Sequence, residues 1–248
     1  MKVKNLLDRI PRPAKAIFCA VCVILLAIMY YIALGCPTTF RQEFRRAEKA
    51  HMVGPSVIVD QMLVDYSDFD KMLVGETKDG ICFFGRYYDH YPYKDLSAEK
   101  RYHFTYVEKT GDLTIVAAPN AWGHSWAFHG FERSLPVYLF TEQVRAARAE
   151  LEITVRGSYS KFSITKHYEH TFQGEAARSD SGVFRFWFSA DTDDGLAALN
   201  FLSTATGGSA YMSLSEDELA TVFPATVRLY DVSGNLILER ELKIQPKR

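Results

Sequence analysis

The chain has 248 residues, of which 48% are hydrophobic, 24% charged and 14% aromatic, and its formal net charge is −1. These fractions are close to the globular average and exclude a disordered chain, a collagen-like repeat, a disulfide-dense mini-protein and a multi-spanning membrane protein. The near-zero net charge also argues against a nucleic-acid-binding protein, which normally carries a basic excess.

The first recognisable element is a run of twenty residues without a charge, residues 16–35. As a helix this run would be about 30 Å long, the thickness of the hydrocarbon core of a bilayer. Because the apolar region of a cleaved signal peptide usually spans only about 7 to 15 residues, the run predicts an uncleaved transmembrane signal anchor in contact with the lipid bilayer. The alternatives are a cleaved signal peptide and a lipoprotein acylated at Cys36, since Gly35-Cys36 resembles the end of a bacterial lipobox.

Flanking charges predict the orientation of this span. Residues 1–15 contain five basic side chains against the single acid Asp8, so we expect this tail in the cytoplasm and the C-terminal part outside it. After residue 35 the chain has 24 basic and 29 acidic side chains, a net charge of −5 that is typical of a solvated domain. The sequence therefore predicts a single-pass protein of the cell membrane.

Cysteines and glycosylation signals indicate the compartment. Outside the span only Cys36 and Cys82 could form a disulfide, and nothing in the sequence indicates that they meet. No Asn-x-Ser/Thr acceptor site occurs. Both observations favour a bacterial envelope over a eukaryotic cell surface.

Residues 36–56 predict a juxtamembrane helix and linker. Thr39 and Gln42 have capping-box spacing, and a helical pattern continues from about residue 40 to residue 51, before Gly54-Pro55. Arg41, Arg45 and Lys49 then share one stripe of this helix. The stripe could contact anionic headgroups or could belong to a solvated stalk.

Residues 57–135 predict an antiparallel β module that ends in an aromatic loop. The apolar period changes here from 3.6 to 2, and turn residues at 78–80 and 109–112 are suited to hairpins. The predicted strands are residues 57–63, 71–76, 81–88, 102–108 and 113–118.

Residues 136–248 predict a second module of the same class. Its strands are expected at residues 137–140, 151–156, 162–167, 183–189, 226–232 and 236–243, with short helices at 194–203 and 216–223. Short strands with regular turns suggest an immunoglobulin-like β-sandwich, although no Cys...Trp...Cys pattern is present. The predicted fold class is therefore mainly β: one transmembrane helix followed by an antiparallel β-rich outer part with short inserted helices.

One short motif suggests hydrolase chemistry. Gly123-His124-Ser125-Trp126-Ala127 resembles the GxSxG nucleophile elbow of α/β-hydrolases, with Ala in place of the last Gly. The resemblance implies Ser125 as a nucleophile on a strand-to-helix turn. Pro119-Asn120 interrupts the preceding strand, however, and no helical pattern follows, so the residue pattern itself predicts a loop serine.

The same loop is rich in aromatic residues. Flat apolar rings beside polar edges suit the recognition of sugar rings or peptide side chains, so the loop predicts a binding surface for a protein or glycan ligand. The alternative is that the tryptophans fill the space between the two β modules. The predicted binding residues are Trp122, His124, Trp126, Phe128 and His129.

The sequence lacks the common motifs of metal and nucleotide sites. No HExxH, paired CxxC, GxGxxG or GxxxxGK pattern occurs, so we expect neither a metal nor a cofactor. The sequence thus predicts a membrane-anchored, non-catalytic interaction domain outside the cytoplasm. The alternatives are an envelope hydrolase acting through Ser125 and an architectural subunit of an envelope complex.

Overall fold

The chain is mainly β, as predicted, with an apolar helix near its N-terminus. The computed structural model forms two compact units, Met1–Val53 and Gly54–Arg248. It describes residues 11–33, 39–63, 69–88, 100–109, 111–118, 134–161, 164–207, 218 and 221–244.

The first unit contains two helices. Helix α1 (Arg12–Ala33) includes a twenty-residue apolar stretch, Pro13–Ile32, of which nothing is buried. Helix α2 (Phe40–Ala50) begins with the predicted capping box: the Gln42 backbone N–H donates to Thr39 Oγ1 at 3.2 Å, and the Thr39 N–H donates to Gln42 Oε1 at 3.1 Å. Two of the unpaired N–H groups at the helix start are thereby satisfied.

The second unit begins with a four-stranded antiparallel sheet. Its strands are β1 (Val57–Leu63), β2 (Phe69–Glu76), β3 (Gly80–Tyr88) and β4 (Lys100–Glu108), paired in chain order. The predicted turn before β3 is confirmed, since the Gly80 N–H donates to Thr77 Oγ1 at 2.8 Å. A Cβ on Gly80 would clash with the ring of Tyr106, so a larger residue here would displace that side chain.

The next sheet contains β5 (Leu113–Ala117), β6 (Ser134–Thr141) and β9 (Phe184–Ser189), in the order β5-β6-β9. The predicted hairpin between β4 and β5 is wrong, because β5 pairs with β6 instead. A turn is present at Gly111, whose φ is 78°, but turn chemistry does not select the pairing partner. All five residues of β5 are buried, so β5 needs cover on both faces.

The third sheet contains β7 (Arg148–Lys161), β8 (Ile164–Ala177), β10 (Pro224–Tyr230) and β11 (Leu236–Lys243), in the order β11-β10-β7-β8. The predicted β10–β11 turn is confirmed, with Gly234 at φ 82°. The β7–β8 hairpin has fourteen residues on each strand, more than twice the predicted lengths. Its inward positions include Ala149, Gly174 and Ala176, small residues that weaken the alternating apolar signal.

Helix α3 (Asp193–Gly207) extends the predicted helix 194–203, and its residues Ala198, Leu202 and Ala205 join the same apolar core as the strands. Half of the second predicted helix, 216–223, lies outside the described residues, and residues 218, 221 and 222 within it are helical. The described strands form three sheets, so the two-sheet, immunoglobulin-like arrangement is not shown. β5 lies before the predicted module boundary at residue 135, β6 runs across that boundary, and the two strands pair with each other.

Candidate functional site

The predicted aromatic binding loop lies outside the described residues. The affected predictions are Trp122, His124, Ser125, Trp126, Phe128 and His129. The site is therefore built from the described part of the second unit.

An open cleft of about 720 Å³ lies beside the β7–β8 hairpin. Six of its lining residues come from the hairpin, one from α3 and one from the segment just before β10. They are Arg156, Gly157, Ser158, His167, Tyr168, Glu169, Phe201 and Val222. Clefts that combine aromatic surface with a few polar groups are the usual form of a ligand site.

Tyr168 occupies a cleft position that depends on the strand register. Gly157 on β7 is directly opposite Tyr168 on β8, and a Cβ at position 157 would lie 2.5 Å from the Tyr168 hydroxyl oxygen. The glycine therefore lets the tyrosine ring extend across β7. A glycine paired with an aromatic residue can mark such a position. Recognising it requires the β7–β8 register, which the sequence alone does not give.

The Tyr168 hydroxyl group is suited to donate a hydrogen bond. It points toward the Ala197 carbonyl oxygen at 3.4 Å, and burial, with a smaller contribution from the charge of Asp194, raises the pKa of Tyr168 to about 12. Burial favours the neutral phenol because an ionised oxygen would lose hydration. At neutral pH this group is a donor and does not act as a base.

The exposed lining of the cleft is polar. Arg156 Nε donates to Glu169 Oε2 at 2.7 Å, and both side chains are at least half exposed. Ser158 is opposite His167 on the same outward side of the hairpin. His170 lies on the other side, opposite Val155, so the two histidines point to opposite faces as their three-residue spacing predicts. The cleft thus offers donors and acceptors around an aromatic surface.

A second surface lies on the same sheet, and we call it the polar face. The outward side chains of four strands form it: Arg148, Glu150, Glu152, Gln173, Glu175, Arg228, Tyr230 and Glu239. Arg148 bonds Glu150 at 2.9 Å and Glu175 at 3.1 Å, and these acids raise the pKa of Arg148. The Tyr230 hydroxyl donates to Glu150 Oε2 at 2.8 Å, which raises the pKa of Tyr230. The Arg148–Glu175 and Tyr230–Glu150 contacts join neighbouring strands, whereas Arg148 and Glu150 pair within β7.

A cluster of three hydrogen-bonded polar side chains connects two sheets. Tyr138 on β6 donates its hydroxyl to Asp60 Oδ2 at 2.8 Å, and Arg185 on β9 donates to both Asp60 oxygens at 2.9 and 3.0 Å. Asp60 follows an irregularity in the β1–β2 pairing. Burial and the Asp60 charge raise the pKa of Tyr138 well above its ordinary value. Because every member of this group is hydrogen-bonded, we assign it a structural role.

The juxtamembrane stripe is also described. Arg41, Arg45 and Lys49 are all exposed on α2, and Arg45 donates to Glu48 at 2.7 Å. Among the described residues, no group of three or more His, Cys, Asp or Glu side chains could hold a metal ion. Comparison of the whole chain with protein-family models, with curated proteins and with solved structures found no match.

Proposed function

We propose that this chain is a single-pass membrane protein whose β-rich unit lies outside the cytoplasm and binds a ligand without catalysing a reaction. The surface of α1 carries the proposal. None of the stretch Pro13–Ile32 is buried, and twelve of its large apolar side chains are 47–68% exposed. Each such side chain costs about 1.5 to 3 kcal/mol in water compared with an apolar environment.

An apolar helix of this kind fits a signal sequence or an anchor. The length of the uncharged run favours the anchor, because a cleaved signal peptide needs a shorter one. The basic tail before the run favours an N-terminus in the cytoplasm, which puts the β-rich unit on the other side.

Binding by the β-rich unit is supported by the cleft. Its aromatic side chains, Tyr168 and Phe201, and the polar pair Ser158 and His167 would contact a sugar ring or a peptide side chain with apolar faces and hydrogen bonds. Of the described charged groups near it, Arg156 and Glu169 neutralise each other. A protein or glycan is therefore the ligand class that we propose.

Thiol labelling in intact cells tests the topology. Cys82 is fully buried, so it can stay, while Val144 lies in an exposed turn. In a background lacking the other cysteines, a Val144→Cys variant should react with a membrane-impermeant maleimide, whereas Lys4→Cys should react only after permeabilisation. The reverse pattern would put the β-rich unit in the cytoplasm. The background replaces Cys19, Cys22 and Cys36.

Site-specific photocrosslinking tests binding at the cleft. A benzophenone side chain at Ser158 should form heavier adducts in intact cells, and the same group at Ser233, in the exposed β10–β11 turn, is the matched control. Equal adducts at both positions would contradict a ligand at the cleft. Adducts obtained only from positions in α1 would instead favour an architectural subunit that makes its contacts within the membrane.

A further inference from the structure

Helix α2 separates its charges in a way that its sequence does not show. It contains four basic and two acidic side chains. All four basic side chains are exposed, whereas Glu48 is 2% exposed and Glu43 is half-buried. The exposed basic residues, which we call the basic face, are Arg41, Arg45, Arg46 and Lys49.

The buried acid Glu48 pairs with one of these cations, Arg45. Arg45 Nη1 bonds Glu48 Oε2 at 2.7 Å, an i,i+3 pair on the helix. Arg41, Arg46 and Lys49 leave an excess of positive charge on the exposed side of a helix of eleven residues. An anionic surface is the electrostatic complement of such a face.

The length of chain between the helices restricts what this face can meet. α1 ends at Ala33 and α2 begins at Phe40, seven residues later. Even a fully extended connection of this length spans at most about 25 Å. If α1 crosses the bilayer, the start of α2 is therefore held within about 25 Å of the membrane surface.

We propose that the basic face of α2 binds the anionic phospholipid headgroups of the bilayer that α1 spans. This proposal rests on the proposed membrane anchoring of α1. Each basic residue near such a surface contributes on the order of a fivefold preference for the bound state. The three cations outside the Arg45–Glu48 pair would together shift the equilibrium by up to roughly 100-fold, and the preference would weaken as salt shortens the range of the interaction.

Headgroup quenching tests this contact in the full-length protein. A fluorophore is attached through Ala50→Cys, an exposed position at the end of α2, in a background lacking the other reactive cysteines. The protein is reconstituted into vesicles of phosphatidylcholine alone or with phosphatidylglycerol, each with nitroxide-labelled headgroups. We expect strong quenching in the anionic vesicles, little in the neutral ones, and loss of the difference at high salt.

Two triple variants give the matched comparison. Arg41→Gln, Arg46→Gln and Lys49→Gln together should abolish the anionic-specific quenching, because they remove the three cations outside the Arg45–Glu48 pair. The same loss of three charges at Lys78, Arg145 and Lys166, exposed positions of the second unit, should leave the quenching unchanged. Circular dichroism would verify that both variants keep their helix and strand content.

Equal quenching in neutral and anionic vesicles would overturn the proposal, as would an equal effect of the two triple variants. A separate measurement detects the case in which α1 does not anchor the protein in the membrane. A protein whose α1 does not insert is removed from vesicles by an alkaline wash before flotation, whereas a protein that only lacks the α2 contact stays with them.

Discussion

Two apolar stretches of this chain end in opposite environments. None of the α1 stretch Pro13–Ile32 is buried, whereas all five residues of β5 and six of the eight residues of β6 are buried. The two regions, α1 and the β5–β6 pair, are both rich in aliphatic and aromatic residues. The difference is one of geometry: a long helix presents apolar side chains all round its axis, whereas short strands stack in a sheet whose two faces other elements can cover.

Apolar side chains have a different role in each of the two regions. Burial of β5 and β6 contributes to the folding energy of the second unit, whereas exposed apolar surface on α1 favours a non-aqueous environment. Substitutions that add charge or remove apolar volume should therefore act on stability in one region and on membrane retention in the other.

The largest contrast is expected for a charge placed in each region. Leu139→Asp on β6, at a fully buried position, would bury an unpaired carboxylate and should lower the free energy of unfolding by more than about 4 kcal/mol. Leu25→Asp on α1 should leave unfolding unchanged but weaken membrane insertion by about 3 kcal/mol. Urea unfolding in detergent and membrane flotation measure the two effects. Equal loss of stability in both variants would mean that α1 belongs to the folded core.

Two neighbouring residues of β9 compare the energetic cost of losing a buried side chain with that of losing an exposed one. Phe186 is 1% exposed and Trp187 is 52% exposed. Phe186→Ala should cost about 3 to 5 kcal/mol through lost contacts and a cavity, whereas Trp187→Ala should cost less than about 1 kcal/mol. Urea unfolding of both variants, followed by circular dichroism, measures the two losses of stability. Similar costs would show that Trp187 is also covered.

The hydroxyl of Tyr138 is a polar exception within buried β6. Tyr138→Phe removes its bond to Asp60 but leaves Arg185 paired with that carboxylate, so we expect a loss of about 1 to 2 kcal/mol in urea unfolding. Tyr230→Phe is the matched control, because Tyr230 makes the same 2.8 Å bond to Glu150 on the solvated polar face. A larger effect at Tyr230 than at Tyr138 would contradict the importance of burial.

The smallest expected effect concerns the cleft tyrosine and alkaline pH. The pKa of Tyr168 is about 12, above its ordinary value of 10, so the unfolded chain releases this proton first as pH rises. The contribution of the Tyr168 hydroxyl to the free energy of unfolding is fully present below pH 10 and is lost between pH 10 and about 12. At pH 11 the loss is about 1 kcal/mol. Tyr168→Phe should flatten the decline measured by thermal unfolding from pH 9 to 11. An unchanged decline would show that Tyr168 is not shielded from water.

Local signals were reliable where a few adjacent residues decide the structure. Thr39 and Gln42 form the predicted cap, and Gly80 and Gly234 form the predicted turns. Turn chemistry failed at Gly111, where the chain turns but continues into another sheet. Whether a turn closes a hairpin depends on which distant strand offers the better cover, and this information is not local.

The candidate cleft illustrates the same limit. The three-residue spacing of His167 and His170 is typical of opposite faces of a strand, and the register of β7 and β8 places them so. The same register brings Gly157 of β7 against Tyr168 of β8, a contact between two strands that no pattern within either strand indicates. Only the tertiary structure adds Phe201 of α3 to the lining.

The sequence by itself determined the apolar N-terminal helix, the capped basic helix that follows and the mainly β character of the rest, because periodicity, caps and turns act over a few residues. The tertiary structure decided that the strands form three sheets, that β5 leaves the first of them, and that Glu48 of α2 is buried while its basic residues are exposed. These features depend on long-range pairing and burial, where the gain for one element is set by which others cover it.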